Sequence, residues 1–140
     1  MNTTTYIILF NPDQDFVDTY REILEKNEYH ILFVAPTIQD LERELESHQG
    51  EVRNLMSKKQ RIIALIENWA PWKPDEESDY LGVGIIAENR IRTAYGNQAV
   101  TCIALTTTDH SFYGELTINI TNESEVVLST LSNFLKRKEK

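Results

Sequence analysis

Cysteine is almost absent from this chain, Cys102 being the only one. One thiol cannot close an internal disulfide or build a Cys-rich metal site. Its place within the apolar run Val100-Thr-Cys-Ile-Ala-Leu105 assigns it to a core, where a buried thiol is inert. Long apolar runs are missing as well. None approaches the ~20 residues that cross a bilayer, and Met1-Asn-Thr-Thr-Thr5 lacks the basic region, apolar stretch and small-residue cleavage site of a secretory leader. A cytoplasmic location with no membrane contact is therefore expected. Positive charge is scarce: 14 Lys and Arg against 22 Asp and Glu leave a formal net charge of −8. That balance disfavours nucleic acid, whose backbone is held by clustered cations, and favours a protein partner with a basic surface. The one basic cluster, Lys136-Arg137-Lys138 with Lys140, falls at the end of a predicted helix, where cations complement the helix dipole.

Chemical motifs are equally sparse. There is no Gly-rich loop ending in Lys-Ser/Thr to cradle phosphates, and Gly82-x-Gly84 does not complete a dinucleotide fingerprint. His30 and His48 have no companions at metal-ligand spacing. Asp109-His110-Ser111 has the residue types of a triad, but adjacent residues rarely converge on one substrate atom. No catalytic residue, metal or cofactor is expected.

What the chain does have is alternation. With 140 residues, 41% of them hydrophobic, it has the length for one core, and a single domain spanning 1–140 is expected. Tyr6-Ile-Ile-Leu-Phe10 is a continuous apolar β-forming run, as in a strand covered on both faces, and it stops at Asn11-Pro12. Phe16, Tyr20, Ile23 and Leu24 then share one side of a helix opened by Asp13 or Asp15 and ending near Asn27. Ile31 to Val34 is a second strand, followed by Thr37 as helix cap and a stripe of Ile38, Leu41 and Leu45. The polar stretch 46–60 continues or loosely follows that helix. Arg61 to Ile66 is the third strand, ended by Glu67-Asn68 and a loop holding Trp69, Pro71, Trp72 and Pro74.

A helix over Asp79 to Ala94, a strand at Val100 to Leu105 and another at Leu116 to Ile120 complete the series, before a last helix capped by Asn122 with Glu125 in a capping-box spacing. That helix carries Val127, Leu131, Phe134 and Leu135. Strands alternating with amphipathic helices predict a three-layer, flavodoxin-like α/β sandwich around a mainly parallel five-stranded sheet. Functional groups in such folds sit beyond the carboxyl ends of the strands. Only ten residues, Thr106 to Glu115, separate the last two strands, at the lower limit for a crossover with its own helix. Either the fourth helix is short or absent, or the last strand makes a hairpin with the one before it.

The strand ends carry a family resemblance. Tyr6 to Leu24 resembles the opening of a response-regulator receiver domain (CheY-like), and Ile63-Ala-Leu-Ile-Glu-Asn-Trp-Ala-Pro71 resembles its third strand, with Glu67 in the place of the aspartate four residues before a proline. Gly84 through Ile91-Arg92 resembles the family's third helix, and Ile103-Ala-Leu-Thr106-Thr107 its fourth strand with the switch threonine. The resemblance implies a phosphoryl-accepting pocket: an acidic pair for Mg²⁺, an aspartate acceptor, a threonine and a lysine.

This sequence departs from four of those five requirements. The acidic pair aligns with Asn11 and Pro12, leaving Asp13 nearby, equally suited to cap the first helix. Glu67 carries its carboxylate one methylene further out, beyond the ~1 Å misplacement that is already costly. Asn119 or Thr121 stands where the lysine belongs, and only Thr106 is kept. The resemblance is thus to a degenerate, pseudo-receiver type: a phosphorylation-independent module that binds another protein in signalling, with Asn11, Pro12, Asp13, Glu67, Asn68, Thr106 and Asn119 forming the disarmed pocket. Trp69, Trp72, Phe112 and Tyr113 are the candidate interaction surface, for a partner or a homodimer. Two rivals stand beside it: an unconventional receiver binding metal or phosphoryl groups through Asp13 and Glu67, and a flavodoxin-like small-molecule binder.

Overall fold

The computed structural model describes residues 3–76, 80–108 and 110–138. Five strands form one sheet: β1 (Thr5–Phe10), β2 (Tyr29–Ala35), β3 (Arg61–Glu67), β6 (Val100–Thr106) and β7 (Leu116–Asn119). Their order is β2-β1-β3-β6-β7, and every neighbouring pair is parallel. A separate two-stranded antiparallel ribbon joins β4 (Trp69–Ala70) to β5 (Tyr80–Leu81). The helices are α1 (Gln14–Lys26), α2 (Ile38–Ser47), α3 (Gln49–Ser57), α4 (Val83–Tyr95) and α5 (Ser124–Lys138). Among the described residues no helix is long and apolar enough to cross a membrane.

Successive residues of a strand point to opposite faces, so the sheet supports two cores. Ile8, Phe10, Ile62, Ala64, Ile66, Cys102 and Ala104 pack with α2, α3 and α4 on one face. Ile7, Leu9, Ile63, Leu65, Ile103 and Leu105 pack with α1 and α5 on the other. Burial on both sides is why the central strands read as unbroken apolar runs. The register between β1 and β2 slips once, between Ile7 and Ile8, leaving Leu32 of β2 without an opposite residue.

Local signals set several boundaries as expected. The Asp13 side chain accepts from the Asp15 and Phe16 amides and so caps α1, which settles the choice between the two aspartates. Thr37 caps α2 by accepting from the Asp40 amide, and its hydroxyl donates to the Asp40 carboxylate. At the far end of α2 the Leu45 carbonyl, among those left without a helical donor, accepts from the Tyr95 hydroxyl at 2.9 Å.

Two open alternatives are settled and two expectations corrected. The stretch after Glu46 is a second helix, α3, set off by a break at His48 that turns Val52 and Leu55 into the core. The helix placed from Asp79 starts at Val83, because Tyr80 and Leu81 pair with Trp69 and Ala70 instead; Asp79 itself lies outside the described residues. β7 runs parallel to β6, so the hairpin alternative is excluded, and the described residues between them contain no helix. Asn122 is not the cap of α5: the helix begins at Ser124, and the Glu123 carbonyl accepts from Val126 and Val127.

Cys102 is fully buried in β6, and that burial pushes its thiol up to about 12. The thiolate fraction at pH 8 is then negligible. The native protein is expected not to react with a disulfide reagent at pH 8, and to consume one equivalent when unfolded in urea. Rapid native reaction would mean that β6 opens readily.

Candidate functional site

Four of the five strands, β1, β3, β6 and β7, deliver a polar residue to one end of the sheet. Asn11, directly after β1, is buried and donates its amide to the Ala35 carbonyl of β2 at 3.1 Å. Its side-chain oxygen accepts from the Asp13 amide at 2.8 Å, and the Asp13 carboxylate turns in the same way to its α1 cap. Pro12, between them, offers no side-chain oxygen.

Glu67, the last residue of β3, is 9% exposed. Its Oε1 folds back to accept from the amides of Asn68 at 3.0 Å and Trp69 at 3.3 Å. Asn68 reaches across to α4. Gly82, at that helix's N-cap, has no side chain to offer, and the Asn68 side-chain oxygen accepts from the Gly84 amide at 3.0 Å in its place. Thr106, paired in register with Asn119, donates its hydroxyl to the Thr108 carbonyl. The Asn119 side-chain oxygen accepts from both the amide and the hydroxyl of Thr121.

The expected residues do converge, but their side chains are spent on turning the chain. Two hollows flank Glu67. The smaller, about 230 Å³, is lined by Asn11, Pro12, Asp13 and Phe16 with Glu67, Trp69, Thr107 and Ile120. The larger, about 350 Å³, lies on the other side, toward α4 and the β6–β7 connection. Among the described residues no Lys or Arg lines either of them.

A hard divalent cation needs several oxygens held at tight octahedral geometry. Among the described residues Asp13 and Glu67 are the only carboxylates lining the smaller hollow, each already bound to main-chain amides. Among the described residues no group of three or more His, Cys, Asp or Glu side chains is placed to hold a metal. The residues present do not fit a Mg²⁺ site.

The connection from β6 to β7 is built around Tyr113. Its ring lies flat against Gly84, where even a Cβ would come within 2.4 Å of the ring. Its hydroxyl donates to the Ile66 carbonyl at 2.8 Å. Burial, reinforced by the negative charges of Glu67 and Glu88, raises the phenol's pKa, so it stays a donor. Next to it, the Gly114 amide donates to Glu88 of α4, a carboxylate also gripped by Arg92. A tyrosine and an ion-paired glutamate thus hold the connection that a helix would otherwise fill.

The candidate interaction surface is therefore redrawn. Tyr113 is 6% exposed and belongs to the core, whereas its neighbour Phe112 is 96% exposed. Trp72 packs against the core, and its carbonyl accepts from the Gln39 amide. Trp69 is the exposed one, at 48%. Of the triad-like run, Asp109 lies outside the described residues; Ser111 donates to the Tyr113 carbonyl. The anchoring roles of Gly84, Glu88 and Tyr113 escaped the sequence reading, and the only trace was a glycine with no turn to explain it.

No family model matches this sequence, and no curated protein is significantly similar to it. Solved structures are. A response regulator receiver domain protein (CheY-like) from Methanospirillum hungatei JF-1 superposes with a TM-score of 0.56, covering 94% of both chains at 15% identity. The BeF3-activated N-terminal receiver domain of RstA from Klebsiella pneumoniae gives 0.54, with 91% of this chain and 95% of that one covered at 17% identity. At such identities the likeness establishes the fold: a five-stranded parallel α/β sheet of CheY-like type.

Proposed function

We propose that this chain is a receiver-type signalling module that works by binding another protein and takes up no phosphoryl group. The observation that carries the reading is the state of the strand ends. Phosphoryl transfer is mostly positioning and charge neutralisation, by metal and by cation. Here Asn11 and Pro12 stand where an acidic pair belongs, Glu67 is folded onto its own main chain, and among the described residues no lysine or arginine lines either hollow. Glu67 as a stand-in for a phosphorylated aspartate is the less favoured reading, since its Oε1 is already engaged by the amides of Asn68 and Trp69. With no acceptor chemistry left, what remains useful is surface, and the net charge of −8 favours a basic protein partner over nucleic acid.

Trp69 lines both hollows and is a built-in reporter. In a Trp72→Phe background its fluorescence is expected to stay unchanged on titration with Mg²⁺ and then beryllofluoride. A Glu67→Asp variant is expected to be equally silent, because the metal ligands and the cation are still missing. A saturable response of the natural pocket would sink this reading and restore phosphoryl chemistry.

A further inference from the structure

The described residues include six large hydrophobic side chains that are exposed, and four of them, Trp69, Leu81, Ile85 and Phe112, line the single hollow of about 350 Å³. Scattered apolar residues are ordinary, but a cluster around one concavity marks a place where something binds. Its exposure is held in position. Phe112 is 96% exposed between Ser111, whose hydroxyl is bonded to the Tyr113 carbonyl and to Thr117, and Tyr113, whose own hydroxyl is anchored to β3. Such a connection keeps its phenylalanine outside without the ordering cost that a loose loop would meet on binding.

The charge around the hollow selects the occupant. Among the described lining residues Glu67 is the only carboxylate and there is no lysine or arginine, and the chain carries a net charge of −8. A second copy would bring the same negative charge to the same surface, whereas a basic segment would be attracted. We infer that this hollow is the docking site of the proposed module, and that it takes a partner-protein segment presenting apolar side chains flanked by lysine or arginine. The apolar side chains enter against Trp69, Leu81, Ile85 and Phe112, and basic side chains lay their aliphatic stems along this rim, drawn by the chain's net negative charge. This inference rests on the reading of the chain as a protein-binding module.

The test uses the full chain and two synthetic helical peptides, one amphipathic in leucine and lysine, the other with every lysine replaced by glutamate. Binding is followed by Trp69 emission and by NMR shifts. The leucine-lysine peptide is expected to bind saturably, shifting Trp69, Leu81 and Phe112, and the acidic peptide to bind at least ten-fold more weakly. A Leu81→Ser, Phe112→Ala double variant, altered only at exposed positions, is expected to fold normally and to lose at least ten-fold in affinity.

Equal binding of both peptides, or undiminished binding by the double variant, would overturn the assignment. So would shifts of the same residues that grow with protein concentration alone, which would give the hollow to a second copy. Failure here with silence toward beryllofluoride discards the hollow and keeps phosphorylation independence. A beryllofluoride response beside peptide binding does the reverse.

Discussion

Tyr113→Ala is expected to destabilise the protein by about 3–5 kcal/mol, the range for truncating a buried aromatic. The ring fills the space above Gly84 that a crossover helix would otherwise occupy, so its loss opens a void that the connection is too short to refill. The hydroxyl adds a separable contribution. Tyr113→Phe keeps the packing but strips the Ile66 carbonyl of its donor, and should cost about 1 kcal/mol or somewhat more. Urea denaturation of the two variants separates the effects, and the alanine variant's Tm should fall by on the order of 10–20 °C. A loss below that of the phenylalanine variant would show that the connection is held by something other than this side chain.

Gly114→Ala should be nearly as damaging, for a different reason. Gly114 has φ +81, and a Cβ there would lie 2.8 Å from the Ala104 nitrogen and 3.2 Å from the Cys102 carbonyl oxygen. These are backbone atoms of the neighbouring strand and cannot swing aside. Nor is Gly114 free to retreat, because its amide is bound to Glu88 and the next amide, of Glu115, donates to the Cys102 carbonyl at 2.7 Å. A strained conformation together with a backbone clash should cost roughly 3 kcal/mol. Gly82→Ala is the control. Gly82 has φ +95 but nothing within 4 Å of its would-be Cβ, so strain alone acts there, at about 1–2 kcal/mol. Equal losses at the two positions would mean that close approach of the chains contributes nothing at Gly114.

Both predictions fall on a segment that the sequence describes poorly, and the reason is physical. Apolar runs and caps encode interactions within a turn or along one face, which is why Tyr6 to Phe10, the Thr37 cap and the Ile38, Leu41 and Leu45 stripe are readable. What Trp69 and Trp72 do depends on Trp69 pairing with Leu81, twelve residues away, and on Trp72 meeting the start of α2. No local pattern distinguishes two tryptophans in one proline-bounded loop. Tyr113 is buried by residues of β3 and α4, so its polar, glycine-bearing surroundings suit an exposed loop equally well.

The strand ends were more legible. Topology alone gathers Asn11, Glu67, Thr106 and Asn119. That each turns its oxygen to its own loop depends on backbone angles that sequence leaves open. Asn11 and Asn119 accept from an amide two residues on, as Asx residues do in turns, so part of this behaviour belongs to the residue type.

The slip between β1 and β2 bears on how this molecule meets others. β2 is one outer margin of the sheet, and an extended margin ordinarily offers main-chain groups to which any passing strand can add. Leu32 interrupts the regular repeat of those groups, and the opposite margin, β7, is only four residues long. Neither side presents a long, regular template, so the fold gains protection against amyloid-like growth. Association is left to side chains, which can discriminate between partners where main-chain pairing cannot.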